Sequence, residues 1–338
     1  MDVLESGTSE MLGWHDPDEN RKWVSENKPR GLVDKRMPVS EAVTKFVKDG
    51  DFITSGGFGH IRVSMDVIYE LIRQKKRHLA MAGKTAVHDA DILIGAGVVD
   101  RIDVAYTFGY ELRGLTHASR RAVKEGKCKV VGEISNGGYQ WRFLAASMGL
   151  PFVPTRMMAG SDTFKRSCAK KVKDPFSGKP IVLLPAAYPD AVFIHVPRCD
   201  KWGNCQIDGI MIEDFELARA ARRLIITTEK VVGEDVIRKK PDLTKIPYFL
   251  VDAVCEVPFG AHPCAMPYMY YFDEYHIAEW LDLSKTDEGV NKYLEKYVFG
   301  VKDHADYLKK IGGKKKLKQL AKIEHFETPL EAPWIKKE

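Results

Sequence analysis

The chain has 338 residues, about twice the length of a typical domain, and its 44% hydrophobic and 29% charged residues exclude a disordered or collagen-like polymer. Lys and Arg total 52 against 47 Asp and Glu, a net charge of +5, with the excess gathered at Lys314-Lys315-Lys316 and Lys336-Lys337, so no broad basic face for nucleic acid is implied. No apolar run reaches the roughly 18 to 20 residues of a membrane span, and the first ten residues are acidic where a signal peptide is basic and then apolar, so a cytoplasmic protein is expected. The six cysteines form no Cys-x-x-Cys pair and no zinc spacing, which predicts free thiols and no metal site.

Residues 1–36 show no sustained periodicity and read as an extension lying over a larger body. From Met37 the pattern becomes regular. Ser40 stands where a helix N-cap would, before Val43, Phe46 and Val47 at helical spacing. A strand over 52–55 empties into Gly56-Gly57-Phe58-Gly59 and then a helix carrying Val67, Ile68, Leu71 and Ile72. The alternation continues with strands over 79–82, 102–107 and 129–134 and helices over 90–94, 119–123 and 139–148. Such βαβ repetition predicts an open, mostly parallel sheet flanked by helices. Proline and glycine thicken after Gly149. Strands over 181–184 and 191–196 follow, then a helix over 216–222, a strand over 224–228, a helix over 231–238 and a strand over 249–254. Helical stretches at 290–298 and 304–311 precede a lysine-rich tail expected to be mobile.

The glycine turn lacks the third glycine of a dinucleotide fingerprint and the Gly-Lys-Ser/Thr ending of a phosphate loop. Two uses remain for it: a packing turn between strand and helix, or a cradle whose N–H groups face an anionic or acyl ligand. Arg62 is either a carboxylate grip for that ligand or a solvated first-turn arginine. No Gly-x-Ser-x-Gly elbow is present, and Cys264, in His262-Pro263-Cys264, lacks an ordered third partner for nucleophilic catalysis. In His88-Asp89-Ala90-Asp91 the aspartates suit helix capping better than metal binding. Glu133 closes an apolar strand just before Ser135-Asn136-Gly137-Gly138, and ligands bind at the carboxyl ends of strands in open α/β sheets. It could serve as nucleophile, base or structural acceptor of loop N–H groups. A second loop, from Arg156 to Asp162 with Gly160 and Ser161, could line the same crevice.

In order along the chain, Asp49-Gly50-Asp51 before Gly56-Gly57-Phe58, Ser119-Arg120-Arg121, Leu150-Pro151-Phe152-Val153-Pro154 before Gly160-Ser161, Val251-Asp252-Ala253-Val254 before Gly260-Ala261-His262-Pro263, and Lys302-Asp303-His304 resemble the A (alpha) subunit of family I CoA-transferases, the glutaconate CoA-transferase branch in particular. The resemblance runs from Met37 to Gly312. It divides the chain into an extension (1–36), a CoA-transferase α/β domain of the A type (37–312) and the lysine-rich tail (313–338). It implies a heterotetramer or heterooctamer in which a partner B subunit supplies the catalytic glutamate at the end of its second strand, since residues 79–84 here contain no carboxylate. Coenzyme A enters as a substrate, with no separate cofactor. Gly56, Gly57, Phe58, Gly59, Gly160 and Ser161 would then supply or shape oxyanion donors, and Arg62 would grip the distal carboxylate of a dicarboxylic substrate, with Asn136 and Arg156 also at the substrate. The scaffold also resembles ring-opening hydrolases and decarboxylases of acyl-CoA. Arg156 is similar to those relatives, whereas Asn136 departs from the acidic residue of the hydrolases.

Overall fold

The computed structural model describes residues 2–334. Its centre is a seven-stranded sheet in which every neighbouring pair is parallel. In chain order the strands are β1 (Phe52–Ser55), β2 (Leu79–Lys84), β3 (Val99–Ala105), β4 (Lys129–Glu133), β5 (Ala191–Val196), β6 (Arg223–Thr228) and β7 (Ala253–Glu256). They lie side by side as β7-β6-β5-β1-β2-β3-β4, so the chain reverses direction of growth beside β1. The expected open parallel sheet is what the chain forms.

Alternation within each strand builds two cores, one per face. Phe52 pairs with Ala80 and faces one of them, while the next pair, Ile53 with Met81, faces the other. The same division holds across β5 and β6, where Val192–Leu224 and Ile194–Ile226 share a face and Phe193–Ile225 takes the opposite one. Both faces are therefore apolar, and helices cover them. Val67, Ile68, Leu71 and Ile72 of α1 (Met65–Arg73) and Ile92 and Leu93 of α2 (His88–Gly95) pack on the first. Tyr139 and Phe143 of α4 (Asn136–Ser147) and Leu217 of α5 (Asp214–Ala220) pack on the second. Helix α3 (Ala118–Lys124) lies beside α2. Each such large side chain contributes about 1.5–3 kcal/mol through burial.

A separate antiparallel sheet runs Val3–Ser6, Lys170–Lys173, Pro180–Pro185, Phe152–Thr155. The region after Gly149, where prolines and glycines concentrate, thus forms a second sheet, and the N-terminal extension supplies its edge strand. The extension also contains a helix, Pro17–Asn27, capped by Asp16.

Four local readings need correction. Ser40 is not an N-cap: the helix is Val39–Phe46 and Pro38 holds the cap position, its fixed φ suiting the helix start. Residues 249–254 do not form one strand, because a short helical turn, Tyr248–Leu250, precedes β7. The aspartates of α2 make no side-chain cap on that helix. The lysine-rich segment is not a bare tail, since Gly313–Glu324 is a helix that buries Leu317, Leu320 and Ile323 while Lys314, Lys315, Lys318 and Lys322 face outward and Lys316 pairs with Asp273. Lys336 and Lys337 lie outside the described residues. All six cysteines are buried free thiols. Among the described residues no helix is long and apolar enough to cross a membrane.

Candidate active site

The carboxyl ends of β3 and β4 open into a cavity of about 640 Å³, lined in part by Tyr106, Phe108, Glu133, Asn136, Met158 and Ser161. Three expected residues, Glu133, Asn136 and Ser161, therefore converge on one space. Glu133 ends β4 and is partly exposed. Its two oxygens accept from Thr163 Oγ1 and Arg166 Nη1, each at 3.3 Å, so it is a structural acceptor of side chains and not of loop N–H groups. Asn136 begins α4, whose cap is Ser135 Oγ on Gly138 N at 3.0 Å. Its Oδ1 is buried without a hydrogen-bond partner. Ser161 caps the short helix Asp162–Lys165, donating to Met158 O (2.8 Å) and accepting from Phe164 N (3.4 Å). Gly160 precedes it at φ +78°, a backbone conformation that glycine enters without strain. Arg156 lies at the start of the same loop and is exposed; neither it nor Gly160 is part of the lining.

Sequence reasoning missed Tyr106 and Phe108, whereas Met158 belongs to the loop from Arg156 to Asp162 that was expected to line the crevice. All three are non-glycine residues with left-handed backbones, at φ +58°, +70° and +63°, and such strain concentrates at functional sites. One signal for the first two was available in their position at the end of β3.

The glycine turn lies elsewhere, at the end of β1, and its four N–H groups are all engaged. Gly56 N donates to Phe193 O at 2.7 Å, Phe58 N to Ile61 O at 3.0 Å and Gly59 N to Thr85 O at 3.2 Å. Gly57 N donates to Asp214 Oδ1 at 3.0 Å. The expectation of open main-chain donors is corrected accordingly. Glycine is needed here for packing: a Cβ on Gly57 would stand 2.1 Å from Ile61 O, and one on Gly56 would stand 2.7 Å from Asp214 Oδ1.

Arg62 requires a similar correction. It is neither a solvated arginine nor open to a ligand, being 1% exposed. Its Nη2 pairs with Asp214 Oδ2 at 2.7 Å and donates to Ile210 O at 3.0 Å, while Nε and Nη1 are buried without partners. Burial pushes the Asp214 carboxyl up, but Arg62, Gly57 N–H and Lys84 outweigh it and hold the group below the usual carboxylate range. Beside this pair Lys84 contacts Glu213 and donates to Gly57 O at 3.1 Å. Burial lowers the Lys84 ammonium to about 8, with Asp214 and Asp89 opposing the shift and Arg62 adding to it, so it remains mostly charged at neutral pH. Burial likewise raises Asp89 to about 6.

Among the described residues, one group has the composition of a metal site. His262, Asp273 and His276 bring ligand atoms within 4.8 Å of one another. Each is already partnered: His262 with Tyr307 and Asp273, His276 with Tyr293, and Asp273 also with Lys316. The arrangement is a buried hydrogen-bond network with an ion pair.

The Coenzyme A transferase family model matches residues 36–257, the whole parallel sheet with both loops of the cavity. The chain belongs to the coenzyme A transferase family. It is 56% identical over 334 residues to an uncharacterized protein of Archaeoglobus fulgidus, covering 99% of this chain and 75% of that one. It is 31% identical over 299 residues to the A subunit of glutaconate CoA-transferase from Acidaminococcus fermentans (83% and 92% covered). It is also 31% identical over 278 residues to the A subunit of 3-oxoadipate CoA-transferase from Pseudomonas knackmussii (81% and 97%). The crystal structure of the Acidaminococcus glutaconate enzyme superposes with a TM-score of 0.81 at 30% identity, covering 85% of this chain and 95% of that one. Within the family, this chain is of the A-subunit type.

Proposed function

We propose that this chain is the A subunit of a cytoplasmic, heteromeric CoA-transferase that moves CoA from an acyl-CoA to a carboxylic acid, dicarboxylic acids included. The near full-length similarity to two CoA-transferase A subunits carries the reading. The end of β2 supports it, because Lys84 stands where a catalytic carboxylate would otherwise close the strand. A partner B subunit supplies the glutamate. Its carboxylate attacks the thioester carbonyl and expels CoA thiolate, leaving a mixed anhydride. The thiolate then attacks the glutamyl carbonyl, releasing the first acid and leaving a glutamyl-CoA thioester. The acceptor acid reverses both steps, and CoA is a substrate throughout. On this chain Asn136 and Ser161 contact the acyl group in the cavity at the carboxyl ends of β3 and β4, where Tyr106, Phe108 and Met158 offer it an apolar surface.

The test is to mix the purified chain with its partner, supply acyl-CoA and acceptor acid, and follow CoA exchange. Borohydride reduction of the trapped thioester is expected to modify the partner alone. Modification of Glu133, or ring opening or loss of carbon dioxide with no need for an acceptor acid, would overturn the reading.

A further inference from the structure

Three consecutive residues at the end of β2 tie the cavity wall to the glycine turn. Gly83 O accepts from Thr107 Oγ1, a cavity residue. Lys84 Nζ donates to Gly57 O at 3.1 Å. Thr85 O accepts from Gly59 N at 3.2 Å. Gly57 is thus held on both sides, its N–H by Asp214 and its carbonyl by Lys84. The two acidic anchors are adjacent, since Glu213 contacts Lys84 and Asp214 pairs with Arg62, and all four side chains are 1% exposed or less.

We propose that Lys84 is a positioning residue, which with Asp214 clamps Gly57 and so sets the glycine turn in register with the cavity wall. Its ammonium also lies 5.1 Å from the centroid of the Phe58 ring, the next residue of the turn. A backbone carbonyl held by a buried charge moves little, because releasing it leaves both the carbonyl and the ammonium short of a partner. No carboxylate or neutral side chain at position 84 could donate to Gly57 and neutralise Glu213 together. The geometric clamp is independent of the catalytic reading; its effect on turnover rests on that reading.

Two measurements separate them. Amide hydrogen exchange on the full chain compares wild type with Lys84→Met and Lys84→Arg. The expected result is at least tenfold faster exchange at residues 57–61 in Lys84→Met, with amides of 67–72 in α1 unchanged, and wild-type protection restored in Lys84→Arg. A uniform rise across both segments, or no rise at the turn, overturns the clamp. In the complex reconstituted with its partner, Lys84→Met should lower kcat at least tenfold while the KM for acyl-CoA changes less than threefold, and Lys84→Arg should recover kcat to within threefold. Unchanged kcat in Lys84→Met refutes the positioning role. A wild-type complex that transfers no CoA refutes the functional reading and leaves the exchange result standing.

Discussion

Trp280 donates its indole N–H to Asp91 Oδ2 at 2.8 Å, with both side chains fully buried. The other oxygen, Oδ1, accepts from Ser119 N at 2.8 Å and Ser119 Oγ at 2.7 Å, at the start of α3. One carboxylate therefore joins α2, α3 and the helix Glu274–Leu283. Asp91→Ala strands three buried donors and should lower the unfolding free energy by about 3 kcal/mol. Asp91→Asn, which keeps one acceptor oxygen, should cost less. Urea denaturation of the full chain measures both.

Arg62 and Asp214 form a buried pair, and breaking it from either side leaves an uncompensated charge. Arg62→Met or Asp214→Leu alone should each destabilise by about 3–5 kcal/mol, and the double variant by clearly less than their sum. Additive costs in the cycle would show that the pair is not coupled.

His60 is pulled down to about 3, first by burial and then by Arg113, against its ordinary value of 6.5. Between those pH values the unfolded chain takes up a proton that the folded chain refuses, so this residue's contribution is present above pH 6.5 and is lost as pH falls towards 3. Relative to His60→Phe, wild type should lose about 1 kcal/mol between pH 7 and pH 5.5. Urea midpoints at the two pH values check it, and parallel pH curves for the two proteins would refute it.

Glu133 lines the cavity, yet its charged partner Arg166 is exposed and both of its side-chain contacts are long. Glu133→Gln should shift stability by less than about 1 kcal/mol and keep CoA exchange by the complex above one-tenth of wild type. A loss beyond about a thousandfold would place the nucleophile on this chain.

The parallel sheet was readable because β1, β2, β5 and β6 are apolar on both faces and spaced by helical segments; residues 191–196 emerge with the expected bounds. Of the antiparallel sheet, the strand over 181–184 was legible, while another was hidden in charge. Lys170–Lys173 has three lysines in four residues and only Val172 buried, so no apolar alternation marks it as a strand. At the site, position at strand ends found Glu133 and Asn136. Arg62 and Lys84 were the failures, because their partners Asp214 and Glu213 lie well over a hundred residues away. A lone charge in sequence reads as solvated, and only the fold reveals that two such charges neutralise each other in the interior.

The outer position of Val3–Ser6, bonded to Lys170–Lys173, gives the protein an unusual order of assembly during translation. The segment is made on the order of 10–30 s before its hydrogen-bonding neighbour at ordinary elongation rates. Through that interval a nascent strand with unpaired backbone groups waits for its template. Chaperones that recognise extended peptides would find a target there.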